Sequence, residues 1–160
     1  MKTVSGLSDE ELVSSLHAIC ADGRRLLARL LVHLGEIEER SLHLKSACPS
    51  LFEFCIRRLG MSEGEAFRRI AAARLVKRFP SLLARIESGA LHLTAVVLLR
   101  EHFTETNVDE LADAASGKTK RELEELLARR APRPDVASMI RKLPVSKSLV
   151  APPALPLEAL

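Results

Sequence analysis

Residues 50–80 read Ser50-Leu-Phe-Glu-Phe-Cys-Ile-Arg-Arg-Leu-Gly60-Met-Ser-Glu-Gly-Glu-Ala-Phe-Arg-Arg-Ile70-Ala-Ala-Ala-Arg-Leu-Val-Lys-Arg-Phe-Pro80, and this stretch decides the fold. Pro49 or Ser50 starts a helix over 50–59, with Leu51, Phe52, Cys55 and Leu59 as its apolar stripe. Gly60 closes it, because glycine enters the left-handed conformation at a helix end at little cost. Ser62-x-x-Glu65 is a capping-box pattern and opens a second helix to about Phe79. A short glycine-containing turn lets two helices cross steeply, so the second can present its N-terminal end to a DNA major groove. The spacing over 50–79 is that of a helix-turn-helix.

Helix signals continue on both sides of this corner, and strand signals are nearly absent. Upstream, Ser8-x-x-Glu11 is another capping box, followed by Leu12, Leu16, Ile19, Leu26, Leu30 and Ile37 in a heptad register with Gly23 and His33 at the gaps. Two arrangements fit: one long helix over about 8–40 that pairs with a second copy, or two helices broken near Gly23 and folded onto the domain. Leu27, Leu31 and Leu34 widen the second stretch beyond a strict seam and favour intramolecular packing. Downstream, Pro80 starts a short helix that Gly89 closes. Residues 94–102 form a strongly apolar, central helix. Thr106 caps a helix to Ser116 that ends at Gly117, and Thr119-x-x-Glu122 opens a last helix ending before Pro132. Six of the eight prolines lie between Ala131 and Leu160. The expectation is an all-α, multi-helix orthogonal domain over 7–131, with a long N-terminal helix or helix pair. A Pro-rich linker or tail follows over 132–160, with a short turn near 137–142.

The chain has 160 residues, of which 47% are apolar and 28% charged, enough for a real core in one domain. It has no Trp, Tyr or Gln and a single Asn, Asn107. Tyrosine acid chemistry is therefore excluded, and aromatic base stacking would rest on five Phe. No run of 18 apolar residues is present, so no membrane span is expected. The N-terminus runs straight into Ser8-Asp9-Glu10-Glu11, which does not fit a signal peptide. Cys20, Cys48 and Cys55 lack paired spacing and read as buried thiols of a reducing cytoplasm.

Charge singles out the same corner. From Arg57 to Arg85 there are eight basic residues (57, 58, 68, 69, 74, 77, 78, 85) against Glu63 and Glu65, a net of +6 in a chain whose total is +3. Phosphate binding is driven by counterion release, so a local basic patch counts for more than the total. On this reading Arg68 and Arg69 lie nearest the groove with Ser62 at the helix start, and Arg57, Arg58, Arg74, Lys77, Arg78 and Arg85 supply further basic contacts, chiefly to phosphates. Without Gln or a nearby Asn, bidentate adenine readout is unattainable, and Arg–guanine contacts or DNA shape would carry any preference. Two features oppose it: Glu63 and Glu65 repel phosphate from the first turn, and Arg74 and Arg78 share the stripe of Phe67 and Ala71.

The stretch from Gly60 to Pro80, with Leu82-Leu-Ala-Arg-Ile-Glu-Ser-Gly-Ala-Leu-His-Leu-Thr-Ala-Val96, resembles the helical region that precedes the nuclease module in bacterial HNH endonuclease-like proteins of the myxobacterial type. Ala47-Cys-Pro-Ser-Leu-Phe52, Gly117-Lys-Thr-Lys-Arg-Glu-Leu-Glu-Glu-Leu-Leu127 and Ala131-Pro-Arg-Pro-Asp135 fit the same pattern, which covers roughly 7–145. A looser similarity runs to the ParB/KorB helix-turn-helix domain, over 60–79, 80–89, 94–102 and 119–130. Both resemblances imply DNA binding.

The nuclease site itself is not expected. The resemblance implies a metal held by two His and an Asn after the linker, yet nothing after residue 107 is His, Asn or Cys. His17, His33, His43, His92 and His102 are not at metal-pair spacing on one helix, and His17 and His33 read as helix-face or core-edge residues. Gly117-Lys118-Thr119 lacks the upstream glycine of a phosphate loop, and Glu38/Glu39 and Glu124/Glu125 read as solvated helix positions. The expectation is a non-enzymatic, cytoplasmic DNA-binding module without metal or cofactor, nucleoid-associated if it binds DNA. The chain would be a stand-alone relative or a truncated nuclease whose second half was lost or is encoded downstream. The alternative is a protein-interaction or dimerisation domain using the 8–40 heptads, with no direct DNA contact.

Overall fold

A computed structural model describes residues 4–130, and the statements below concern those residues. The segment expected as a Pro-rich linker or tail lies outside them. The described chain is all-α: a 3-10 turn at Val4–Gly6, then α1 (Asp9–Glu39), α2 (Leu42–Lys45), α3 (Leu51–Arg57), α4 (Glu63–Arg78), α5 (Ser81–Ser88), α6 (Leu93–Leu99), α7 (Val108–Ala115) and α8 (Lys120–Arg130). No helix among the described residues is long and apolar enough to cross a membrane.

The long helix is real and unbroken. Ser8 Oγ accepts from Glu11 N at 3.2 Å, and Glu11 Oε2 accepts from Ser8 N at 2.9 Å, closing the capping box. Asp9, Glu10 and Glu11 fill its first turn, where negative charge suits the helix dipole. The break expected near Gly23 does not occur. A mid-helix glycine costs roughly 1 kcal/mol, and the surrounding Ala, Leu and Arg positions carry the helix through it. The helix is single, as in the first arrangement for 8–40, and its second half folds onto the domain, as in the second. Leu31, Leu34 and Gly35 in its second half are buried against α4 and α5, while residues 8–20 are exposed throughout.

The central helix is α4, not the 94–102 segment. It packs against α1, α3, α5 and α6, with Ala66, Ile70, Ala72, Ala73, Leu75 and Val76 buried over most of its circumference. Small residues permit this crowding: a Cβ at Gly35 of α1 would stand 3.8 Å from Ala73 O. Leu82, Ile86, Leu91, Val96, Leu99, Leu111 and Leu123 complete the core. Phe79 and Phe103 join it as a tilted ring pair with centroids 6.2 Å apart.

Three local expectations are corrected. Glu65 does not return to the Ser62 N–H; it pairs with Arg69 instead, so only the Ser62 half of that capping box forms. Thr106 is not a cap, because α7 starts after Asn107, whose side chain holds the loop by accepting from Thr104 N at 2.8 Å and donating to His102 O at 3.0 Å. The cysteines are not all buried: Cys48 and Cys55 are, whereas Cys20 is exposed on the uncovered half of α1.

Candidate functional site

The α3–α4 corner forms as the cap signals require. Ser50 and Ser62 each accept a backbone N–H three residues on, from Glu53 at 3.1 Å and Glu65 at 3.3 Å. Gly60 turns the chain at φ 68°, with its N–H on Ile56 O at 3.2 Å. The stripe of Phe67, Ala71, Arg74 and Arg78 faces outward, because the buried stripe is Ala66, Ile70 and Ala73.

The basic residues of this corner have separate fates. Arg57 meets Glu53 at 3.4 Å across one helical turn, and Arg69 meets Glu65 at 2.6 Å. Arg74 grips Glu38 of α1 with Nε at 3.0 and 3.1 Å and Nη2 at 2.5 Å, and Lys77 pairs with Glu39 beside it. Arg85 reaches Asp109 at 2.9 Å and Asp113 at 2.8 Å on α7. Arg78 lies over the Phe79 ring, 4.8 Å from its centroid. Arg58 and Arg68 are exposed and have no carboxylate partner among the described residues. The +6 counted along 57–85 is therefore offset in space by Glu38 and Glu39 of α1, Glu53 of α3, and Asp109 and Asp113 of α7.

The titration shifts follow this pairing. The hydrogen bond from Arg74 holds the Glu38 carboxyl below the usual carboxylate range, outweighing partial burial. Arg74 and Arg85 are correspondingly raised, by Glu38 and chiefly by Asp113. Burial pushes the Cys55 thiol up. No group of three or more His, Cys, Asp or Glu among the described residues is placed to hold a metal ion.

Two surface features lie away from that patch. On α1, Leu12, Leu16, Ile19 and Leu26 are 43%, 59%, 62% and 61% exposed, although their spacing is that of a core stripe. Leu30 and Ile37 of the same register are half-buried against the domain. Beside Leu26, a groove of about 580 Å³ runs between α1 and α5, lined in part by Leu26, Val32, Leu83, Arg29 and Glu87. A second groove of about 470 Å³ lies between α3, α4 and Arg100, with Phe52 and Phe67 in its wall. The heptads of α1 were legible in the sequence; which half of them the domain leaves open was not.

No protein-family model, no curated protein and no solved structure matches the chain.

Proposed function

We propose that this chain is a self-associating helical module, which docks on a second copy through the first half of α1. One observation carries the reading: among the described residues, 8–20 are exposed throughout, yet they present Leu12, Leu16 and Ile19 at heptad spacing. An apolar stripe left uncovered along an anchored helix favours a partner. Sedimentation equilibrium tests the reading: the wild type runs as a dimer, and Leu16→Lys with Ile19→Lys runs as a monomer with unchanged circular dichroism. A wild-type monomer, or a dimer indifferent to these substitutions, removes it.

A second reading is DNA binding by a helix-turn-helix over α3 and α4, in keeping with the resemblance to regions preceding HNH nuclease modules. Its specific support is Arg58 and Arg68, two exposed guanidinium groups free of carboxylates on either side of the Gly60 turn. Ser62 lies between them in the chain, and Arg57 adjoins Arg58, although Glu53 holds its guanidinium at 3.4 Å. Five carboxylates beside Arg57, Arg74, Lys77 and Arg85 count against a wider phosphate footprint. Binding of duplex DNA at about 50 mM salt, falling steeply as salt rises, tests it.

A further inference from the structure

We infer that the two copies lie antiparallel, each tip of α1 seated beside the other copy's α1–α5 groove. The inference rests on the self-association proposed above and adds its geometry. The exposed stripe runs from Leu12 to the half-buried Leu30, so its midpoint falls near residue 21. An antiparallel pair about that midpoint sets Leu12 opposite Leu30, Leu16 opposite Leu26, and Ile19 opposite Gly23. The last pairing is complementary in shape, because a Cβ at Gly23 would meet nothing within 4 Å and the site is open to a large side chain. Leu12 and Val13 then reach the groove walled by Leu26, Val32 and Leu83.

Charge selects the same direction. The tip of α1 carries Asp9, Glu10 and Glu11, whereas exposed Arg25 and Arg29 lie about four to five turns along it; Arg24 beside them is turned onto the domain, against Gly89. Parallel copies would stack like on like at both places. Antiparallel copies bring each acidic tip toward the basic stretch and exposed His33 of the other, and oppose the helix dipoles as well. Asp22 approaches its own copy near the axis, where Arg25 of the same chain holds it at 2.7 Å. Sterics agree: the domain covers the second half of α1, so an antiparallel pair places the two domains at opposite ends. The contact is isologous and closes as a dimer.

The experiment measures mass first and orientation second. A nitroxide is placed at Arg40→Cys in a Cys20→Ser background, away from both tip and stripe, and the spin–spin distance is read by pulsed electron resonance on the full chain. An antiparallel dimer centred near residue 21 puts the two labels on the order of 55 Å apart. A dimer with labels within about 25 Å is parallel and overturns the inference while self-association stands. A monomer overturns both. A charge swap checks the register: Arg29→Glu weakens the dimer severalfold, and Asp9→Arg, on the stripe side of the tip, restores it when added to the same chain. A dimer as weak with both changes as with Arg29→Glu alone overturns the tip-to-groove placement.

Discussion

Arg74 and Glu38 meet as a bidentate pair across the α1–α4 crossing, with Nε at 3.0 and 3.1 Å and Nη2 at 2.5 Å. Along the chain Arg74 belongs to a run of cations; in space it is one half of a clasp. Lys77 and Glu39 repeat the arrangement one turn on. The second half of α1 is thus fastened to α4 by charge at its rim and by Leu31, Leu34 and Gly35 underneath. That anchoring is what lets the first half project uncovered.

Glu38→Gln should lower stability by about 0.5–1 kcal/mol at neutral pH, the upper range for a partly exposed pair screened by solvent. The Glu38 carboxyl is depressed in the folded chain, chiefly by its hydrogen bond with Arg74. Its contribution is therefore present above the ordinary carboxylate range and is lost as pH falls through the folded value. Urea unfolding of wild type and variant should differ at pH about 7 and converge in strong acid, where wild-type Glu38 is also neutral. A gap unchanged on acidification would remove this account.

The free and paired arginines should separate in a DNA assay. If the chain binds duplex DNA, Arg58→Ala with Arg68→Ala should weaken it and reduce the salt slope by about 2. Arg74→Ala with Lys77→Ala should instead lower the unfolding midpoint and leave the slope nearly unchanged. Fluorescence anisotropy across a salt series decides. Equal slope losses from the two sets would mean that the carboxylate pairs open on binding and do not limit the phosphate footprint.

The glycines of α1 should answer differently. Gly23 has open space around its missing Cβ, so Gly23→Ala should stabilise the helix by up to about 1 kcal/mol. Gly35 faces Ala73 O, where a Cβ at 3.8 Å is ordinary contact and Gly35→Ala is tolerated. Gly35→Leu forces the α1–α4 crossing apart and should cost about 1–3 kcal/mol. Thermal unfolding of the three variants would show the order, and a tolerated Gly35→Leu would contradict the close approach.

Local signals were legible wherever one short stretch decides its own shape. Ser8 with Glu11, Thr119 with Glu122, and the turns at Gly60, Gly89 and Gly117 all sit where their residue types place them. The failures involve side-chain partners that the local pattern does not name, one within a helix and the others on distant helices. Glu65 deserts the Ser62 N–H for Arg69, and Arg74 and Arg85 find carboxylates on α1 and α7. A count of charge along 57–85 cannot register Glu38, Asp109 and Asp113. The heptads of α1 were visible too, but periodicity marks an apolar stripe without saying what covers it. Only the positions of α4 and α5 show that the cover stops near Arg24.

His92 supplies the last prediction. Sequence spacing weighed it only as a metal ligand, and the helix it precedes was expected from Thr94. It is the N-cap of α6: Nδ1 accepts from Ala95 N at 3.1 Å, while Nε2 lies 2.9 Å from Lys118 O. The carbonyl is an acceptor only, so the Nε2–H tautomer donates to it, and one ring joins the start of α6 to the turn before α8. His92→Ala removes both bonds and should cost about 1–2 kcal/mol, of which the cap is the larger part. His92→Asn keeps a short capping side chain but cannot span to Lys118, so its loss should be smaller and confined to the bridge. Hydrogen exchange separates the two: in His92→Asn the α6 amides stay protected while those opening α8 exchange faster. Equal exchange at α8 in wild type and His92→Asn would show that the bridge contributes nothing.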